Sequence, residues 1–182
     1  MNNNSRIFTI LLFAAGALSV VTTQRGCSCA TTASNPRAEL MQEIMKNHPD
    51  GIPEPLLEFM TENREFRNSR VIRLSDFGSD YQREWFAKLG YTGTIEDDFE
   101  KDGSIELAAV MFDNGKARLL ILKRGITGWE VAFKTDLPGP AMIKVSDLGM
   151  IGGGKCILGA TSQRAARFGF CWDGTTYVPI SP

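Results

Sequence analysis

Hydrophobic positions between residues 36 and 90 recur at intervals of three and four, which is the spacing of the buried face of an amphipathic helix. Asn35 followed by Pro36 is typical of a helix start, because asparagine caps the first turn and proline fits its first position. Ser79 marks another start, and Gly90 marks the corresponding end. The pattern predicts three helices, over residues 36–47, 53–63 and 79–90, and a short strand over residues 70–74.

The pattern changes to that of β-strands after Thr94. Two nearly continuous apolar runs, residues 105–112 and 118–122, predict strands that are buried on both faces. Residues 129–133 alternate between apolar and polar, which predicts a strand nearer the solvent. Short, turn-rich connections between these three strands predict antiparallel hairpins.

A second group of strands is predicted over residues 155–160, 167–172 and 176–180. Asp147 precedes this group and follows Asp98 by 49 residues, a period typical of blade-type repeats. A simple meander of seven strands fits the same pattern. Aromatic residues that alternate along 168–172 and 129–133 are predicted to belong to the core, beneath the helices.

These elements define an α+β fold, in which three N-terminal helices pack on an antiparallel meander of six to seven strands. The meander forms either one sheet or two blade-like units. A single domain is predicted over residues 36–182, with a helical part at 36–93 and the meander at 94–182. A domain of this length buries a sizeable hydrophobic core.

The residues before this domain, 1–30, have the layout of a secretory signal peptide. Arg6 is the only charge before an apolar run over residues 7–21, and no acidic residue precedes Glu39. As a helix this run would cover only about 22 Å, less than the hydrocarbon core of about 30 Å. Removal of the segment is therefore favoured over a permanent membrane span.

Cleavage after Ala30 satisfies the rule of small residues at alternate positions, through Ser28 and Ala30. Residues 31–35 would then form a flexible tether. Lipidation of Cys27 is the alternative, because a glycine precedes it, although the apolar residue typical of lipoprotein signals is missing. The protein is predicted to be extracytoplasmic, either periplasmic or secreted, with an envelope lipoprotein as the alternative.

The charge balance argues against partners that carry many negative charges. The formal net charge is −1, with 20 Lys and Arg against 21 Asp and Glu. Neither nucleic acid nor an anionic lipid surface is a predicted partner. We expect a protein or an envelope component, and membrane contact only through an N-terminal lipid anchor or an uncleaved signal.

Cys156 and Cys171 lie almost symmetrically about a predicted hairpin. In an oxidising compartment this arrangement favours a disulfide between neighbouring strands. Two buried free thiols are the alternative, and the missing C-x-x-C spacing argues against a redox site.

One loop combines acidic residues with the spacing of a calcium site. Oxygen-bearing side chains stand at positions 1, 3, 5 and 9 of a nine-residue segment, and these residues are Asp98, Glu100, Asp102 and Glu106. Gly103 at position 6 permits the sharp turn that would wrap them around a cation at about 2.4 Å. An EF-hand would need a glutamate at position 12, where Ala109 stands. A simple turn at Asp102-Gly103 is the alternative.

Residues 98–110, Asp-Phe-Glu-Lys-Asp-Gly-Ser-Ile-Glu-Leu-Ala-Ala-Val, resemble the calcium loop of the FG-GAP or VCBS repeat found in integrin-type propeller blades. The resemblance implies calcium, with side-chain ligands from Asp98, Glu100, Asp102 and Glu106 and a backbone carbonyl ligand from Ser104. The chain departs from the repeat pattern by having glutamate at positions 3 and 9 and Lys101 at position 4. It also resembles small exported bacterial proteins with helices before one such loop.

Catalytic chemistry has few candidate residues. His48 is the only histidine, so a Ser-His-Asp arrangement or a zinc site lacks members. We expect a non-enzymatic exported binding or structural protein of the envelope, stabilised by calcium. The alternatives are an envelope hydrolase that uses the acidic segment 96–106 and a periplasmic inhibitor or immunity protein.

Overall fold

The computed structural model describes residues 35–146, 154–161 and 167–181. The predicted signal peptide, the tether up to residue 34, Cys27 and the second loop at 147–153 lie outside the described residues. Within them the fold is α+β, with three helices followed largely by strands. The helices are α1 (Pro36–Lys46), α2 (Glu54–Glu62) and α3 (Asp80–Lys88), and two short 3-10 helices cover Arg64–Phe66 and Leu74–Asp76.

The predicted helix starts are confirmed by their capping bonds. The side chain of Asn35 accepts a hydrogen bond from the backbone N–H of Arg37 at 3.1 Å. The hydroxyl of Ser79 accepts one from the N–H of Gln82 at 3.2 Å. These bonds satisfy donors that have no partner inside the first turn of a helix.

The strands form two antiparallel sheets. The nine strands of the described ranges are β1 (Arg70–Val71), β2 (Thr94–Asp97), β3 (Glu106–Asp113), β4 (Lys116–Arg124), β5 (Trp129–Leu137), β6 (Ala141–Ser146), β7 (Cys156–Thr161), β8 (Arg167–Trp172) and β9 (Tyr177–Ile180). In the first sheet β1 and β2 both pair with β3, followed by β4 and β5. The second sheet has the order β6-β7-β8-β9.

The predicted meander of six to seven strands is corrected to the eight strands β2–β9, in two sheets, and β1 lies within the separate strand predicted over residues 70–74. The prediction missed β2, which has four residues of which two are acidic, and β6, which mixes polar with apolar residues. The two sheets meet where Thr92, just before β2, exchanges two backbone hydrogen bonds of 2.8 Å with Ile143 of β6. The two sheets are therefore joined by backbone bonds as well as by side-chain packing.

Strand β3 is buried on both faces, as its continuous apolar run predicts. Leu107, Ala109 and Met111 face a core formed with α1 and α2, called here the helical core. Ala108 and Val110 face a core formed with the second sheet and α3, called here the sheet core. Because side chains alternate along a strand, one strand can serve both cores. The first sheet is thus the middle layer of the domain.

The aromatic residues are divided between these two cores. Phe133, Phe168 and Phe170 pack against the sheet core, whereas Trp129 packs against the helical core. The prediction that these residues belong to the core is confirmed. They do not all lie beneath the same helices, because only Trp129 packs with α1 and α2, whereas the other three pack in the core formed with the second sheet and α3.

Cys156 of β7 and Cys171 of β8 are joined by a disulfide, as the sequence predicts. The two residues face each other in the antiparallel register of these strands. Both are buried, at 0% and 2% exposure. The bond therefore crosses the middle of the second sheet.

His48 connects the end of α1 to β1. The imidazole is only 4% exposed. Its Nδ1 lies 2.9 Å from the carbonyl oxygen of Ile44, and its Nε2 accepts the N–H of Val71 at 3.3 Å. A backbone N–H can only donate, so the ring is neutral with its proton on Nδ1. Burial lowers the pKa of His48 below 6.5, and the charges of Arg73 and Arg70 lower it further against the opposing effect of the Ile44 carbonyl.

This lowered pKa predicts a loss of stability in mild acid. As the pH falls below 6.5, His48 binds a proton in the unfolded chain before it does so in the folded chain. The free energy of unfolding therefore falls between pH 6.5 and the lowered pKa of the folded state. Urea unfolding at several pH values, compared between the wild type and His48→Gln, measures this effect. We expect the wild type to lose part of its advantage over the variant in that range. A difference that stays constant from pH 7.5 to 5 would contradict the assignment.

Candidate metal centre

Residues 98–105 form the loop that connects β2 to β3. Phe99, the second residue of this loop, is fully buried in the sheet core and anchors the loop to it. Glu106, the first residue of β3, is only 1% exposed. The loop is therefore fixed at both ends, while Asp102 and Ser104 between them are exposed.

The backbone of the loop curls around its carboxylates. The two oxygens of Asp98 accept the N–H groups of Asp102 and Gly103, each at 3.1 Å. Oδ1 of Asp102 accepts the N–H of Ser104 at 2.8 Å, and this bond lowers the pKa of Asp102. Left-handed backbone at Lys101 (φ 56°) and Gly103 (φ 90°) closes the turn. Each carboxylate oxygen has two lone pairs, so these bonds leave room for a cation.

Glu106, at the end of the loop, has one carboxylate oxygen that accepts hydrogen bonds and one that does not. Its Oε2 accepts the N–H groups of Phe99 at 2.7 Å and Glu100 at 3.3 Å. Its Oε1 is buried and has no hydrogen-bond partner. Burial raises the pKa of Glu106, and the charges of Glu100 and Asp102 raise it further against the lowering effect of the two N–H donors. A buried carboxylate oxygen without a partner is costly to the fold.

Three of the predicted ligands come together. One carboxylate oxygen from each of Asp98, Asp102 and Glu106 lies within 4.8 Å of the other two. Calcium binds oxygens at 2.3–2.6 Å, so two oxygens on the same ion are at most about 5 Å apart. The three side chains are therefore close enough to bind a single cation. Ser104 is exposed in the same loop. The assignment of its carbonyl oxygen as a ligand stays a prediction.

Glu100 is not part of this group of three, and its role as a ligand also stays a prediction. Its Oε1 is buried without a hydrogen-bond partner, as is the hydroxyl of Tyr177 on β9. The hydroxyl lies near the Glu100 carboxylate, without a hydrogen bond of good geometry. Burial raises the pKa of both groups, and the charges of Glu100 and Glu106 raise that of Tyr177 further. Four buried side-chain polar atoms in the described residues have no hydrogen-bond partner, and three of them belong to this region.

Lys123 and Tyr177 are neighbours of the site that the sequence prediction missed. Lys123 lines an open groove together with Asp102 and Glu106, and its charge lowers the pKa of Glu100. The hairpin could have indicated Lys123. Because Leu107 pairs with Leu122, the neighbouring residue Lys123 lies opposite Glu106, where the loop meets β3. Tyr177 comes from the second sheet, about 70 residues further along the chain, and has no local signal.

The second sheet also holds the loop from the other side. The N–H of Lys155 donates to the carbonyl of Phe99 at 3.0 Å, and its ammonium group pairs with Asp97. The loop therefore depends on both sheets for its shape. The hydrolase alternative relies on the acidic segment 96–106. In this segment Asp97 forms an ion pair with Lys155, and Glu96 is exposed.

Comparisons with protein-family models, with curated proteins and with solved structures found no match to this chain. In the ranges that the structure describes, no helix has both the length and the apolar character needed to cross a membrane.

Proposed function

We propose that the protein is a non-enzymatic, exported binding or structural protein of the cell envelope whose fold is stabilised by calcium in the 98–106 loop. The observation that carries this proposal is the carboxylate group of Glu106, which comes together with those of Asp98 and Asp102 and has a buried oxygen, Oε1, without a hydrogen-bond partner. A cation would supply the missing interaction. It would also offset the mutual repulsion of these carboxylates.

Calcium fits this place better than other partners. Calcium prefers carboxylate oxygens, and this group offers one from each of three side chains. Zinc would prefer histidine or cysteine ligands, and none belongs to this group. Lys123 balances part of the charge, but its ammonium group makes no hydrogen bond to Oε1 of Glu106.

The FG-GAP or VCBS-type repeat is supported by the strand order. Strands β2–β5 and β6–β9 each form four antiparallel strands that pair in chain order. The offset of 49 residues between Asp98 and Asp147 also relates Thr94 of β2 to Ile143 of β6. We infer two blade-like units, of which the first carries the calcium loop.

Export is supported by the disulfide, since such bonds persist mainly in oxidising compartments. The non-enzymatic assignment is supported by His48, whose two ring nitrogens are both engaged with the backbone. It is also supported by the loop carboxylates, because Asp98 and Oε2 of Glu106 hold backbone N–H groups. A hydrolase would need carboxylates that exchange protons with a substrate.

Calcium is expected to raise the free energy of unfolding of the wild type and to leave an Asp98→Asn, Asp102→Asn double variant unchanged. At a calcium concentration 100 times the dissociation constant, the gain is about 2.7 kcal/mol. Asparagine removes both charges but keeps one acceptor oxygen at each position, so that only one of the two backbone hydrogen bonds to residue 98 is lost. Chemical unfolding in calcium and in chelator, with magnesium as a comparison, measures the difference.

The matched control is Asp113→Asn, because Asp113 ends β3 at the opposite side of the strand and should leave the calcium response intact. Equal stability of the wild type in calcium and in chelator would overturn the calcium assignment. The loop would then be an ordinary turn.

A further inference from the structure

Four arginines recur at every third position between α2 and α3, and only two of them are neutralised. Arg70 forms two hydrogen bonds with Asp76, at 2.5 and 2.7 Å. Arg73 pairs with Asp50 at 3.3 Å. The other two, Arg64 and Arg67, have no carboxylate within 4.0 Å in the part of the chain that the structure describes. Two positive charges therefore remain beside α1 without an ion-pair partner among the described residues.

These two arginines line the same cleft, which has a volume of about 280 Å³. Arg64 begins a 3-10 helix, and with about three residues per turn Arg67 projects from the same side. The carboxamides of Asn47 and Asn68 also line the cleft. Leu40 of α1, which is partly buried, contributes an apolar wall. The cleft thus combines two guanidinium groups, hydrogen-bonding amides and a small hydrophobic surface.

Capping of the C-terminal end of α1 is the ordinary explanation for arginines at this place, but other donors already do this. The N–H of Asn47 donates to the carbonyl of Ile44, and the N–H of His48 donates to that of Met45. The carbonyl of Asn47 accepts from the guanidinium of Arg73 at 2.8 Å. Arg64 and Arg67 are therefore not required to complete the helix.

Arg67 is held in position by the backbone. Its Nη2 donates to the carbonyl of Thr61 at 2.9 Å, which fixes the guanidinium. A fixed guanidinium loses little freedom when it binds an anion, which favours binding.

We propose that this cleft binds a small organic molecule with a single carboxylate group. The carboxylate pairs with Arg64 and Arg67, since the planar guanidinium fork matches two carboxylate oxygens. Its apolar part packs against Leu40. Glu43 also lines the cleft and disfavours a second negative charge on the ligand. The site is separate from the calcium loop and does not depend on calcium.

Butyrate is a suitable probe, titrated into the full protein at constant ionic strength with chloride as the reference anion. We expect saturable shifts of the side-chain amide NMR signals of Asn47 and Asn68. Arg64→Gln should weaken binding about tenfold or more, because a charge-assisted hydrogen bond is lost. Succinate, with two carboxylates, should bind more weakly than butyrate.

Arg37→Gln is the matched control, because Arg37 is exposed on α1, pairs with Glu62 and does not line the cleft. It should bind butyrate as the wild type does. The side chain of Arg64 is exposed, so its variant should keep the circular dichroism spectrum and melting temperature of the wild type. Shifts that fail to saturate, or equal affinity in Arg64→Gln and the wild type, would overturn the proposal.

Discussion

Phe99→Ala is expected to lower the free energy of unfolding by about 3–5 kcal/mol, the range found for removal of a buried phenylalanine side chain. Phe99 is fully buried among residues of the sheet core, and its backbone is bonded to Glu106 on one side and to Lys155 on the other. The truncation leaves a cavity that this double attachment prevents from closing. Urea unfolding followed by tryptophan fluorescence measures the loss.

The same change should weaken calcium binding, because Phe99 anchors the loop that carries Asp98 and Asp102. Phe112→Ala is a matched control, since Phe112 is only partly buried and lies far along β3 from the loop. We expect that variant to lose less stability and to keep its calcium response. A Phe99→Ala protein as stable as the wild type would show that the loop does not depend on this anchor.

Loss of the disulfide is the second large expected effect. Replacing both Cys156 and Cys171 with alanine should lower the free energy of unfolding by about 3 kcal/mol, as a closed loop of some 15 residues does in the chain-entropy model. The two residues are separated by 15 positions along the chain. Unfolding curves of the wild type, with and without dithiothreitol, should differ by a similar amount.

The double-alanine variant supplies the control for the reductant. It has no bond between residues 156 and 171, so dithiothreitol should leave its unfolding curve unchanged. If dithiothreitol leaves the wild type unchanged as well, the bond does not stabilise the native fold. A single Cys156→Ala variant is less suitable, because its free Cys171 thiol can form bonds between molecules.

The elements that sequence alone predicts correctly are those with a strong local period. The three helices follow from hydrophobic spacing and from the caps at Asn35 and Ser79. The long strands follow from the apolar runs around residues 107–111 and 119–122. Short strands such as β2, with Glu96 and Asp97 in its four residues, have too little apolar surface to be predicted. They form because neighbouring strands offer backbone partners.

What covers each face of a buried strand is also not contained in its pattern. The run Leu107–Met111 indicates burial on both sides, but the identity of the two covering layers depends on the tertiary fold. The prediction put the helices over the aromatic residues of the second sheet, whereas that sheet packs on the first sheet itself. Apolar residues signal burial, and they do not specify the partner.

The candidate site also has features that the local sequence predicts and features that depend on the tertiary fold. The spacing of Asp98, Asp102 and Glu106 predicts a set of carboxylates that can meet, and these three do meet. The burial of Glu106 and its unpartnered oxygen arise from packing between the sheets, which no local motif encodes. Tyr177 joins the region only because β9 lies beside it in the folded chain.

The outer strands β5 and β9 bear on the behaviour of the protein at high concentration. Unpaired strand edges are templates for edge-to-edge aggregation, and natural sheets protect them with charges or with proline. Strand β5 carries the exposed charges of Glu130 and Lys134, and β9 contains Pro179, which has no N–H to offer to another strand. Both outer edges therefore resist the addition of a strand from a second molecule, which favours colloidal stability in concentrated solution.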